Sequence, residues 1–165
     1  HLSIQDARII LTDDGRTLNT YSVLTEDNLP LSENPDYLAN IKHTLVEELD
    51  DPDDFPDIIQ RRVPRALKLF ATPTRVTISN DPVMQQTVLE VSSPDRPGLL
   101  ARIGSIFVEF GISVRKAKIA SIGERVEDYF FITDANEQPI SDPDLCHRLQ
   151  DTICRQLDEQ IQQEH

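Results

Sequence analysis

The apolar positions of this chain recur with a period that switches between two and three-to-four residues, and the switches mark out its elements. Leu2 to Ile10 reads as a strand, Asp13-Asp14-Gly15-Arg16 as a turn, and Leu18 to Thr25 as a second strand, so a hairpin is predicted. Asn34-Pro35 opens a helix, with Asn as the cap and Pro at the first helical position. Leu38, Ile41, Leu45 and Leu49 follow at spacings of three and four and give that helix one apolar face. It ends near the acidic run Asp50-Asp51-Pro52-Asp53-Asp54.

From Asp51 to Pro73 the periodicity is lost. Four prolines (Pro52, Pro56, Pro64, Pro73) and the cations Arg61, Arg62, Arg65 and Lys68 predict a linker over 52–73, with one short helix around Arg65 to Phe70. The cations balance the acidic run before them, which is a simpler account than an anion site.

Periodicity then returns. Thr74 to Ser79 and Thr87 to Ser92 read as strands around an Asn80-Asp81-Pro82 turn. Leu99 to Phe110 reads as a helix with Leu99, Ile103, Ile106, Phe107 and Phe110 on one face, ended by Gly111. Ile112 to Ile122 is a strand, Gly123-Glu124 a turn and Arg125 to Asp134 another strand. The last carries apolar residues on both faces, which predicts a central place in a sheet. Asp142-Pro143 caps a final helix bearing Leu145, Leu149, Ile153 and Leu157.

The order of elements repeats. Leu2–Ile9 (LSIQDARI) lies over Ile112–Ile119 (ISVRKAKI), Leu18–Thr25 over Val126–Thr133, and Pro30-Leu31-Ser32 over Pro139-Ile140-Ser141, each followed by a helix that starts with Pro. The second copy has an additional strand and helix in front, giving β-α-β-β-α, most of a ferredoxin-like order. The fold class is therefore α+β, an antiparallel sheet with helices on one face, and Thr74–Ser79 is expected to supply the edge strand. The expected domains are a partial first copy over 1–51, lacking its first strand and helix, the linker, and a second copy over 74–165 with its core in 87–165. A hairpin and one helix bury little alone, so residues 1–51 need shelter from the second copy, another chain or further residues.

Between the second copy's first strand and helix stands Ser92–Gly104, SSPDRPGLLARIG. Pro97 suits the first position of a helix, and Asp95 or Arg96 falls where the cap belongs, Asp being the better cap. Gly98 has no Cβ and lets another backbone or a ligand come close. Free N–H groups and a partial positive charge at the helix start suit a small carboxylate. From residue chemistry alone, a plain strand-to-helix corner is the favoured reading.

Composition narrows the partners. The 165 residues carry a formal net charge of −13, a sign that repels phosphate backbones, so nucleic acid is not expected. No apolar run reaches the roughly 18 residues of a membrane helix, and no signal peptide is visible. The chain begins His1-Leu2-Ser3 without Met, which fits a fragment. Cys146 and Cys154, eight apart on a predicted helix, stand roughly 12 Å from one another, too far for a disulfide, and read as thiols of a reducing cytosol. Histidines 1, 43, 147 and 165 are scattered, and the acidic run lacks the ligand pattern of a calcium loop, so no metal site is expected.

The stretch DRPGLLARI, then GISVRKAKIASIGERVEDYFFITD, resembles ACT domains, small ferredoxin-like regulatory modules that bind amino acids. Arg61–Ile78 (RRVPRALKLFATPTRVTI) and Leu89–Asp134 together resemble, more specifically, the tandem ACT region at the C-terminus of the bifunctional PII uridylyltransferase/uridylyl-removing family. The resemblance implies a glutamine-sensing regulatory region. Its partners would be L-glutamine, the PII signalling protein through the parent enzyme, and a second ACT copy in the same or another chain. It implies ligand contacts from Asp95, Arg96, Pro97, Gly98 and Leu99, completed by Ser113 and Val114, with Asp95 capping the helix or meeting the ligand's ammonium. No Gly-Ser and Asp-x-Asp nucleotidyltransferase signature and no His-Asp pair is present, so the region is expected to be catalytically inert and to hold no cofactor. The magnesium implied by resemblance belongs to the parent's catalytic part. The rival expectations are an assembly module without ligand and the ACT tail of another amino-acid-regulated enzyme.

Overall fold

The computed structural model describes residues 2–25, 29–50 and 72–162. Residues 52–71 of the predicted linker, with its basic cluster, its short helix and most of the acidic run, lie outside the described residues. The strands are β1 (Leu2–Leu11), β2 (Thr17–Thr25), β3 (Arg75–Asp81), β4 (Gln86–Pro94), β5 (Ser113–Ile122) and β6 (Arg125–Thr133). The helices are α1 (Pro35–Asp50), α2 (Leu99–Glu109) and α3 (Pro143–Gln162), and a 3-10 turn, Leu31–Glu33, precedes α1. All six strands form one antiparallel sheet in the order β2-β1-β5-β6-β4-β3.

Local signals set the helix ends. Asn34 caps α1 by accepting the Tyr37 N–H at Oδ1, 3.1 Å. Asp142 caps α3 by accepting the Asp144 N–H at 3.0 Å. Gly111, at φ 64°, closes α2 in a left-handed turn. Its N–H reaches the Val108 carbonyl and that of Ile112 reaches the Phe107 carbonyl, a paired closure that satisfies two orphan acceptors.

One face of the sheet carries the core. Leu89 and Val91 of β4, Ala117 and Ile119 of β5, and Phe130 and Ile132 of β6 are buried beneath Ile103, Ile106 and Phe107 of α2 and Leu149, Ile153 and Leu157 of α3. The Phe107 and Phe130 rings meet edge to face, 5.2 Å between centroids, and set α2 over β6. β6 lies inside the sheet, as its double apolar pattern suggests. On its second face Tyr129 and Phe131 are half-buried, and the Lys116 ammonium sits 5.3 Å from the Phe131 ring.

The hairpin of the first copy joins this sheet through β1 and β5. Ala7 faces Ile119, and Ile9 faces Ala117. The repeat matches Ala7 with Ala117 and Ile9 with Ile119, so these are one pairing seen from its two sides. Arg8 stands opposite Lys118, its own counterpart. The two copies therefore meet about a local two-fold axis, the self-complementary arrangement of a symmetric dimer built into one chain. Ala7 becomes fully buried in this way.

The rest of the first copy gains less shelter. Leu18 and Tyr21 of β2 are exposed, and α1 buries no residue; Leu45, Val46 and Leu49 are 56%, 60% and 77% exposed. A helix held by so little packing opens at low free energy. Hydrogen exchange of this chain should therefore show α1 amides exchanging at least about a hundredfold faster than those of α3 at Leu149–Leu157. Equal protection in the two helices would mean that α1 is covered in solution.

Candidate functional site

The corner motif takes a different conformation from the one its residues predict. The cap of α2 is Gly98, at φ 77° and without a side-chain hydrogen bond, and the helix begins at Leu99. Pro97 stands outside it. Only a residue without Cβ turns freely into the left-handed region, so the reversal from β4 to α2 is placed at Gly98 and not at Asp95 or Arg96. The Leu99 N–H reaches back to the Arg96 carbonyl at 3.4 Å, and that of Arg102 to the Gly98 carbonyl at 2.9 Å. Among the described residues none accepts the N–H groups of Leu100 and Ala101, so two donors of the first turn stay free. Pro97 is exposed and Gly98 partly so, leaving the turn open to solvent.

Arg96 points the other way. It is 6% exposed. Its Nη2 donates to Ser93 Oγ at 2.7 Å and Thr74 Oγ1 at 3.2 Å, and its Nη1 donates to the Leu157 carbonyl. Asp158 Oδ1 accepts from both the N–H and the hydroxyl of Thr74, at 3.1 and 2.6 Å. Burial pushes the guanidinium down to about 10, opposed by the charge of Asp158, so it stays ionised at neutral pH. The side chain expected to face a ligand instead ties the corner to α3 and to the residue that leads into β3.

Ser113 and Val114 are also not at the corner. The corner follows Pro94, which pairs with Arg125, and Ile122 pairs with Arg125 from the other side. Ser113 pairs with Thr133, at the opposite end of the sheet. The ten residues of β5 span roughly 30 Å, so no small ligand touches both. The two-fold pairing brings the first copy's counterparts, Ser3 and Ile4, to the corner's end instead, and Ser121 Oγ donates to the Ile4 carbonyl there at 3.1 Å.

The corner has a feature that residue patterns do not single out. Asp128, on the core-facing side of β6, is 1% exposed. Its Oδ1 accepts the Ala120 N–H at 3.4 Å, and among the described residues its Oδ2 has no partner. Burial chiefly, with the nearby charge of Asp95, pushes this carboxyl up to about 7. Asp95 is half-buried and its carboxyl is also raised by burial, partly offset by a hydrogen bond from the Arg96 backbone. The sequence signal was a charge on the apolar-facing register of a strand, visible once Phe130 and Ile132 set that register.

The family described as ACT domain matches residues 87–142. The chain contains an ACT domain. That domain runs from β4 through the α2 corner and β5–β6 to the cap of α3, and as an ACT domain it is regulatory. Bifunctional uridylyltransferase/uridylyl-removing enzymes match almost the whole chain. That of Pseudomonas aeruginosa PAO1 is 58% identical over 157 residues, 95% of this chain and 17% of its own length. That of Ectopseudomonas mendocina is 56% identical over 159 residues, 96% and 18%. That of Stutzerimonas stutzeri is 52% identical over 164 residues, 99% and 18%. This ACT-containing chain thus spans under a fifth of the length of the curated relatives it matches. No solved structure matches it. Among the described residues no group of three or more His, Cys, Asp or Glu is placed to hold a metal, and no helix is long and apolar enough to cross a membrane. Both cysteines are free, and burial pushes their thiols up, which keeps them unreactive.

Proposed function

We propose that this ACT region senses L-glutamine and thereby sets the balance between uridylyl transfer to, and uridylyl removal from, the PII signalling protein in a longer enzyme. The observation that carries the reading is the corner: free helix-start N–H groups beside two carboxyls suit a zwitterion. The 52–58% identity to enzymes named for those two reactions supports it. Glutamine at the junction would touch the α2 corner of one copy and the start of β1 of the other. It would favour whichever arrangement of the copies binds it more tightly, and can shift their balance only by that difference. On this reading the region performs no chemistry, and catalysis with its magnesium belongs to the rest of the enzyme.

A second reading, an assembly module without ligand, draws on the outer edge of β2, which no other described strand covers, and on the exposed apolar residues Leu45, Val46 and Leu49 of α1, both suited to a further ACT copy. Calorimetric titration into this chain and into the longer protein that carries it separates the two. The sensor reading expects heat with L-glutamine and none with L-glutamate or D-glutamine at equal concentration. No heat in either protein, with a mass that doubles on concentration, would replace it with the assembly reading.

A further inference from the structure

Native folds rarely leave a buried carboxyl oxygen unpartnered, because the group loses its hydration and gains nothing in return. Asp128 Oδ2 is such an atom. The fold itself does not need a carboxyl there. The one hydrogen bond Asp128 makes among the described residues, from the Ala120 N–H to Oδ1, could be made equally by the carbonyl oxygen of an asparagine.

Its position joins it to the corner. β6 and α2 run in the same direction, with Phe130 beneath Phe107. Asp128 is two residues nearer the corner along β6, about 6.6 Å, or a little over one helical turn. It therefore lies beneath the N-terminal half of α2, on the core-facing side, beside Asp95 and three residues from Arg125 at the corner's end of the sheet. The free N–H groups of Leu100 and Ala101 lie at the same end. Gly98, without a Cβ, covers less of this end than any other residue would.

We propose that Asp128 receives the ammonium of the bound amino acid, while the free N–H groups of the first turn of α2 hold its carboxylate. Asp128 is then a specificity-determining residue, one that distinguishes an α-amino acid from a plain carboxylic acid of the same shape. The inference rests on the amino-acid-sensing reading and assigns to the buried carboxyl a role that Asp95 alone would otherwise fill. Asp95 is partly solvated and its charge partly screened, whereas a desolvated carboxylate discriminates more strongly between a ligand with an ammonium and one without.

The test is a two-by-two titration. L-glutamine and its analogue lacking the amino group (4-carbamoylbutanoate) are each titrated into the wild-type chain and into Asp128→Asn, with circular dichroism as the check on folding. The wild type is expected to prefer L-glutamine by more than about tenfold. In Asp128→Asn that preference should fall to within about twofold, while affinity for the analogue stays unchanged. A variant that keeps the full preference, or loses both ligands equally, overturns the assignment of Asp128. So does a variant that fails to fold, since the inference holds that the fold gains nothing from this carboxyl. A wild type that binds neither ligand, in this chain and in the longer protein alike, overturns the sensing reading itself.

Discussion

Replacing Asp128 by asparagine is expected to raise the stability of the protein at pH 8 and to remove much of its pH dependence between pH 4 and 7. The folded-state carboxyl lies at about 7, raised from 3.8 chiefly by burial. A group raised in this way keeps its proton in the folded state where the unfolded chain has lost it. Its stabilising contribution is complete below the unfolded value and is lost as pH rises through the folded one. Over that window the wild type should lose roughly 4 kcal/mol from this one residue. Asparagine removes the ionisation but buries an amide with unmet donors, so the net gain at pH 8 should be about 1–3 kcal/mol. Asp95 titrates with the same sign in both proteins and cancels in the comparison. Urea denaturation of wild type and variant from pH 4.5 to 8 measures the difference. Parallel curves would show that Asp128 is hydrated, or paired, in solution. Together with the ligand titration this sets stability against recognition: the same substitution should strengthen the fold and weaken discrimination, which a merely structural residue would not do.

Arg96→Ala should be the most damaging single change at the corner, lowering unfolding free energy by about 3–5 kcal/mol. The guanidinium is buried and donates to Ser93, Thr74 and the Leu157 carbonyl. Removing it leaves those acceptors with fewer donors, takes away the positive partner of Asp158 and opens a cavity between β4 and α3. Arg96→Lys should recover only part of the loss, because one ammonium cannot reproduce a forked set of donors. Urea midpoints on the three proteins decide it. A loss under about 1 kcal/mol for the alanine variant would mean that the side chain is solvated, and its role would then return to the ligand-facing one that its place in the motif suggests.

How much of this could be read from the residues varied with the range of the interaction involved. The caps at Asn34 and Asp142, the Gly111 stop and the interior place of β6 are set by neighbours within a few residues, and the structure has them where the patterns put them. The edge strand before β4 follows from a hairpin turn and was readable for the same reason. The corner was readable as a corner but not in its parts. The left-handed turn at Gly98 moves the helix start past Pro97. The direction of the Arg96 side chain depends on α3, sixty residues away in sequence. Ser113 and Val114 lie at the far end because α2 carries the chain back across the sheet before β5 begins. The antiparallel pairing of the two copies brings the start of β1 to the corner instead, and no local pattern carries that exchange.

By itself the sequence determined the elements, their order, the repeat, and the resemblance of the corner and the Gly-Glu-Arg-Val-Glu-Asp turn to a regulatory module. These depend on periodicity, backbone restriction and side-chain chemistry over short distances, all of which are properties of the chain before it folds. The tertiary structure alone decided that Arg8 meets Lys118 across a two-fold pairing, that Arg96 is turned inward, and that Asp128 lies unpartnered beneath α2 near its free N–H groups. Burial and charge proximity are relations between distant segments, and a carboxyl acquires an altered affinity for its proton, or for an ammonium, only when packing has taken the water away.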